Sequence, residues 1–311
     1  MSKQFKNWIE ETTANLIAGS QVIVTPRGPI EYAIKGTGPV VLCLHGGFGT
    51  YHQSLLIGAD LIQQGFTLLA PSRPGYLRTP LSVGKTTEEQ ADAMVVLLDA
   101  LGISKVAVMG YSAGSSVAFQ FALRHPDRVW GLILVSIGAQ PQQAILYRII
   151  TKMLNLKRLA DFGCWLLYLA TIHYPFMTQK FILHLDNHLP PSTLKERIQY
   201  VLNDPNQSTF LSHFILSTIP VSLRKAGAKS DIQNLNPWQS YSYSLIKTPT
   251  LIIQAEADKN GSYAEALFVA KQIKGAQLIT VKDSGHIIWL GKYTESWQSQ
   301  LIDFLKNSKS I

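Results

Sequence analysis

The chain is short of cysteine, of charge and of long apolar runs, and each shortage excludes a class of protein. Two cysteines, Cys43 and Cys164, stand in 311 residues. That is too few for a disulfide framework or a zinc cluster, and each lies in an apolar stretch where it reads as a small buried hydrophobe. Charged residues make up 15% of the chain and hydrophobic ones 46%, a balance that argues for a large buried core and against disorder. The apolar stretch from Phe162 to Ala170 falls short of the ~20 residues that a spanning helix requires. No run of five basic residues occurs despite a formal net charge of +8, and no zinc or RNA-binding signature is present, so nucleic acid is not an expected partner. There is no G-x-x-x-x-G-K-[ST], no G-x-G-x-x-G opening a helix and no H-E-x-x-H. Neither a cofactor nor a metal is therefore expected. The start of the chain lacks a secretory apolar region, and a cytoplasmic location is the expectation.

Most of the chain alternates strand and helix. Residues 1–19 place Phe5, Trp8, Ile9 and Leu16 near helical spacing, which predicts an amphipathic helix packed on the body. A sharper reading makes it a membrane-surface anchor. Gln21 to Thr25 and Ile30 to Ile34 flank Pro26-Arg27-Gly28-Pro29 and predict a hairpin. Pro39 to Leu44 is a continuous apolar run that ends in His45-Gly46-Gly47-Phe48-Gly49, as a strand buried on both faces and followed by a close-approach loop would. A helix is predicted over Ser54 to Gln64, a strand over Phe66 to Ala70, and a helix from a capping box at Thr86 to about Leu101. The alternation breaks between residues 138 and 245, where helical patterns follow one another: Ala144 to Leu154, Phe162 to Ile172, Thr193 to Leu202 and Phe210 to Ser217. It resumes with strands at Pro249 to Gln254 and Gln277 to Val281. The reading is an α/β core over 20–137 and 246–311, built on a mostly parallel sheet with helices on both faces, and a helical cap inserted at 138–245. Leu146, Ile149, Leu154, Phe162, Trp165, Leu166, Tyr168, Phe176, Phe181 and Phe210 are expected mostly to form the cap's own core. The insertion is expected to leave and rejoin the sheet on the same side, over the site.

The centre of the pattern is Gly110-Tyr111-Ser112-Ala113-Gly114, between the β-branched run Val106–Met109 and a helical stretch from Ser116 to Arg124. Strand, tight glycine-flanked turn and helix are the setting of a nucleophile elbow, which holds a serine hydroxyl out at the top of a sheet. A serine hydroxyl needs a base within hydrogen-bond reach, and histidine titrates near working pH. His286 follows a strand and Gly285 on a loop able to bring it over Ser112. His45 is expected to brace its glycine-rich turn instead. A carboxylate must orient the base, and Glu256, Asp258 and Asp283 all follow strand ends.

His45-Gly46-Gly47, Gly110-Tyr111-Ser112-Ala113-Gly114, Ala255-Glu256-Ala257-Asp258 and Ser284-Gly285-His286 together resemble the α/β-hydrolase-fold enzymes, of the capped serine esterase and C–C hydrolase kind. The resemblance spans roughly residues 21–305. It implies a Ser112, Asp258, His286 triad, the acid being Asp258 because it matches the family pattern. It further implies an oxyanion hole from the backbone N–H groups of Ala113 and Gly47, with Phe48 as the alternative donor. Phe48 and Tyr111 are expected to touch substrate. Ala255 stands where relatives often have Gly, and Leu77-Arg78-Thr79 carries Arg where they usually have Gly, a change expected at the pocket rim. The expected activity is cofactor-free hydrolysis of a hydrophobic acyl compound, a carboxylic ester first, with a C–C bond hydrolase or lactonase as the alternative. A receptor that uses the same pocket, and a membrane-surface module that uses the N-terminal helix and the cap, are the readings outside enzymology.

Overall fold

The computed structural model describes residues 2–137, 157–235 and 241–309. Eight strands form one sheet: β1 (Gln21–Thr25), β2 (Gly28–Lys35), β3 (Val40–Leu44), β4 (Thr67–Pro71), β5 (Val106–Tyr111), β6 (Val129–Val135), β7 (Thr250–Ala255) and β8 (Gln277–Val281). Their order is β1-β2-β4-β3-β5-β6-β7-β8. The β1–β2 hairpin is antiparallel and β2 runs antiparallel to β4, while every later pairing is parallel.

Strand periodicity divides the core. Leu42 and Leu44, Val106 and Val108, and Leu132 and Leu134 face one side, covered by α4 (Thr87–Ala100), α5 (Ala113–Arg124) and α11 (Tyr263–Gln272). Val41 and Cys43, Ala107 and Met109, and Ile133 and Val135 face the other, against α2 (Tyr51–Ile57), α3 (Ala59–Gln63) and α12 (Thr294–Lys309). Both faces are dry, which is why these strands read as unbroken apolar runs. The capping box at Thr86 and Glu89 forms as expected. The single helix expected over Ser54 to Gln64 is instead two, broken at Gly58, where a side chain would press on Leu68 of β4.

Between β6 and β7 the described chain is helical: α6 (Lys157–His173), α7 (Pro175–Leu185), α8 (Pro191–Asn203), α9 (Pro205–Leu216) and α10 (Lys225–Gln233). Helices α7 and α10 had not been expected. Leu183, Ile198, Val201, Leu211 and Phe214 from α7 to α9 join the second core cluster, so the cap shares apolar packing with the sheet. Of the side chains assigned to its core, Leu166, Phe176 and Phe181 are exposed. The helix expected over Ala144 to Leu154, with Leu146, Ile149 and Leu154, lies outside the described residues. The insertion departs from the C-terminal end of β6 but rejoins at the N-terminal end of β7, opposite to the expectation. Parallel neighbours permit nothing else, because leaving one at its end means entering the next at its start.

The N-terminal helix α1 (Lys3–Ala18) buries Phe5, Trp8 and Leu16. Its first turns pack on the helical insertion, where Phe5 meets Phe162 and Trp165 edge-on and Trp8 packs on Tyr168, while its end meets the body, the Tyr51 hydroxyl donating to the Leu16 carbonyl at 2.8 Å. The side chains that would have entered a bilayer are thus the ones the fold covers. Arg78, expected at the pocket rim, is found here. Its guanidinium pairs with buried Glu31 at 2.7 Å and donates to the Ile17 and Ser20 carbonyls, tying the end of α1 to β2.

Candidate active site

The parallel strands end at one edge of the sheet, and the loops that leave β3, β5, β7 and β8 meet there. Ser112, between β5 and α5, has φ 52° and ψ −120°, a conformation unfavourable for a residue with a side chain. Its neighbours allow the turn. A Cβ on Gly110 would strike the Gly114 carbonyl and Ser115 Cα, and one on Gly114 would strike the carbonyls of Leu44 and His45. The two glycines therefore let α5 sit directly on the ends of β3 and β5.

His286 Nε2 lies 3.0 Å from Ser112 Oγ, and His286 Nδ1 lies 3.0 Å from each Asp258 oxygen. The tautomer that donates Nδ1–H to the carboxylate leaves Nε2 free to accept the serine proton. Burial pulls the imidazole toward neutrality, yet the Asp258 charge and hydrogen bond carry its pKa above the ordinary value of 6.5. Asp258 is buried, which alone would raise its pKa, but His286 and the N–H groups of Gly261 and Asn260 hold it below the usual carboxylate value. Those two N–H groups donate to Oδ1 at 2.7 and 2.8 Å, and the Gln254 amide donates to Oδ2 at 2.8 Å. The rival carboxylates stand elsewhere: Glu256 is exposed, and Asp283 pairs with Lys292 at 3.0 Å.

His45 is fully buried and occupied. Its Nε2 accepts the Arg73 N–H at 3.0 Å and its Nδ1 lies 2.8 Å from the Gly46 carbonyl. Burial and the Arg73 charge depress its pKa, so it stays neutral and braces the turn. Gly47 and Ala113 border the same cavity as Ser112 and His286, with Phe48, Ala228, Asp231, Ile232, Leu235 and Asn260; its volume is about 250 Å³. Phe48 lines this space. Tyr111 does not line it. Its ring is buried behind the histidine, 5.3 Å from His286 and packed edge-on to Trp289 and Phe214, and its hydroxyl points to the His286 carbonyl. Strand alternation explains the correction: Tyr111 is the last residue of β5, and its side chain enters the core that Met109 also faces.

Three groups of supporting residues escaped the sequence reading. Gln254 is a fully buried amide inside an apolar strand, and that incongruity was the signal available. In the cap, Asp186 and Arg197 form a buried bidentate pair. The Asp186 carbonyl accepts the His286 N–H at 2.8 Å, and Arg197 reaches the Ile287 and Leu290 carbonyls. Fully buried Arg73 makes a second bidentate pair, at 2.7 Å through both nitrogens, with Asp231 of α10, which also accepts from the Tyr76 hydroxyl at 2.5 Å. The same guanidinium donates to the His45 and Gly46 carbonyls. The spacing of 158 residues between Arg73 and Asp231 leaves no local sequence pattern to read for this pair.

A family description, the α/β hydrolase fold, matches residues 39–293. The chain belongs to the α/β-hydrolase fold family. It is 28% identical to an uncharacterized hydrolase of Bacillus subtilis over 301 residues, covering 92% of this chain and 98% of that one. A solved α/β hydrolase fold protein from Nakamurella multipartita superposes with a TM-score of 0.81 at 26% identity, covering 92% of this chain and 98% of the other. An esterase from Thermogutta terrifontis, at 23% identity, shares the fold with a TM-score of 0.67 over 93% of this chain and 98% of its own.

The Arg73–Asp231 pair makes a specific demand on stability. Replacement of Asp231 by alanine leaves a guanidinium buried without its counter-charge, a situation that costs about 3–5 kcal/mol. Urea unfolding of Asp231→Ala should show that loss as a lowered midpoint with little change in slope.

Proposed function

We propose that this hydrolase cleaves carboxylic esters or lactones with Ser112 as nucleophile, His286 as general base and then acid, and Asp258 as the group that orients and charges the imidazole. The observation that carries the reading is the chain of contacts from Ser112 Oγ through both ring nitrogens of His286 to Asp258, each 3.0 Å long. In the first step Oγ attacks the substrate carbonyl carbon while its proton passes to Nε2. The tetrahedral oxyanion is met by the N–H groups of Ala113 and Gly47, the former opening α5, whose N-terminal end favours negative charge. Collapse expels the alcohol, which takes the proton from Nε2. Water then repeats the sequence on the acyl-enzyme and releases the acid.

The wall of the cavity supports a neutral, mainly apolar substrate. Phe48, Ala228, Ile232 and Leu235 supply apolar surface, and among the described lining residues Asp231 is the one permanently charged side chain. Arg73 compensates the Asp231 carboxylate, and no Lys or Arg stands among the described lining residues to receive an anionic group, so the neutral ester or lactone stands ahead of an acid-bearing C–C bond substrate. A cavity of about 250 Å³ is small for a ligand site, which favours a short or medium acyl group. With p-nitrophenyl esters, kcat/KM should climb on the order of tenfold per two carbons, since each CH₂ contributes about 0.8 kcal/mol on burial, and level off once this space is filled. A preference for acetate with no gain beyond it would remove the apolar acyl site.

The direct test is a fluorophosphonate probe, which reports whether Ser112 is activated. The wild type should be labelled at this residue alone. Ser112→Ala should take no label and lose on the order of 10⁶-fold in kcat. Label retained by that variant would place the nucleophile elsewhere.

The imidazole must be neutral to accept the serine proton, so kcat/KM should rise with pH. Its midpoint should lie above 6.5, because Asp258 raises the His286 pKa against the pull of burial. Asp258→Asn removes the charge that raises it. That variant should lose on the order of 10⁴-fold in kcat, and the midpoint of its residual activity should move to lower pH. A midpoint unchanged by the substitution would separate Asp258 from the titrating group.

A further inference from the structure

Helix α7 (Pro175–Leu185) is built inside out. Its inward face carries Thr178, Gln179 and Leu183, and Gln179 is 1% exposed. The Gln179 amide donates to the Ser208 carbonyl and to Ser212 Oγ at 2.9 and 2.8 Å and accepts from Ser208 Oγ at 3.0 Å, so a polar seam joins α7 to α9. The outward face repeats at helical spacing as Phe176 and Met177, Lys180 and Phe181, His184 and Leu185. Phe176 is 60% exposed, Met177 69% and Phe181 61%. Soluble helices arrange these residue types the other way round. Tyr174 and Ile172, at the junction with α6, and Leu166 on α6 are exposed as well. Large apolar side chains are therefore exposed on both adjacent helices, and exposed apolar surface of this kind marks an interaction site.

The charges on the patch select the partner. The sequence of α7 contains Lys180 and His184 and no Asp or Glu. The one acid of α6, Asp161, is 5% exposed and accepts from the Ser222 N–H, away from this surface. The whole chain carries +8. Two copies docked through this face would set one Lys180 against the other with no exposed acid on α6 or α7 to offset them. An anionic lipid surface complements both features: the rings, Met177 and Leu185 enter the acyl boundary, and Lys180 stays at the level of the phosphates. No helix among the described residues is long and apolar enough to cross a membrane, and eleven residues of α7 span only about 17 Å. The helix is suited to lie in the interface. We propose that the outer face of α7 is a membrane-docking surface that seats the cap on anionic lipid.

Co-sedimentation of the full chain with vesicles tests this directly. Vesicles of phosphatidylcholine mixed with phosphatidylglycerol should carry the protein down, those of phosphatidylcholine alone should bind it more weakly, and added salt should reduce the difference. The double substitution Phe176→Ser, Phe181→Ser removes two exposed rings. It should weaken binding by on the order of tenfold per ring and leave the melting temperature and the hydrolysis of a soluble short-chain ester unchanged. Lys180→Glu should abolish the preference for the anionic mixture. Failure of the wild type to sediment with the mixed vesicles would overturn the proposal. So would vesicle binding that survives the double substitution. A dimer in light scattering that the double variant dissolves would assign the face to a second copy instead. None of these readings depends on the identity of the nucleophile.

Discussion

Ser112 can stand at the top of the sheet only because two other residues have no side chain. Its φ of 52° is a conformation that costs on the order of 1–3 kcal/mol and persists only where the surroundings impose it. Here the strand below and the helix above impose it together: Ser112 N–H donates to the Val135 carbonyl of β6, and Ser115 Oγ returns to the Gly110 carbonyl. That tight crossing brings the start of α5 against the end of β3. The glycine-rich loop after β3 and the start of α5 thereby border the same cavity as that hydroxyl. Every later feature of the site, including the reach of the β7 and β8 loops, is measured from that point.

The loops that meet Ser112 are not held by the sheet alone. The cap grips two of them through buried ion pairs. Arg197 and Asp186 hold the backbone around His286, and Arg73 with Asp231 holds the carbonyls of His45 and Gly46. Buried ion pairs are poor sources of net stability, since desolvation offsets most of the attraction. Their fixed geometry is what distinguishes them from apolar packing. A bidentate pair permits one arrangement of a loop where apolar side chains permit several. Asn187 also forms a bridge to Asp258, so Asp258, the segment around His286 and the glycine-rich loop all touch the insertion. The insertion is therefore part of the frame that holds these loops in place.

Much of this was legible in the chain. Continuous apolar runs identified the parallel strands, and the glycine pair flanking Ser112 identified the turn, because both signals are local. His286 was legible for the same reason, with a strand, a glycine and a histidine in order. What stayed hidden depends on partners far apart in sequence. Tyr111 looked like a pocket residue because it neighbours Ser112, but its position at the end of β5 turns it toward Trp289. Arg78 looked like a rim residue, while the charge it pairs with, Glu31, belongs to a strand that no local pattern connects to it. Helix α7 was missed altogether. Its apolar residues were assigned to a cap core on the assumption that apolar faces turn inward, and here that assumption fails.

The failure has a physical cause in the neighbouring helix. Helix α9 presents Ser208 and Ser212 toward α7, and a phenylalanine turned against those hydroxyls would leave them without partners. Each hydrogen bond lost from these half-buried serines costs about 0.5–1.5 kcal/mol, so losing both approaches the roughly 1.5–3 kcal/mol that burying one phenylalanine contributes. Gln179 satisfies both serines at once, and its satisfaction fixes the rotation of α7. Leu183, on the same face, keeps the second core cluster continuous across the seam. With the inward face set by Gln179 and Leu183, Phe176, Met177 and Phe181 can only face outward. Three serines or lysines at those positions would preserve the packing of the fold equally well. Among the described residues the packing therefore does not require the rings, and their exposure calls for an explanation outside it.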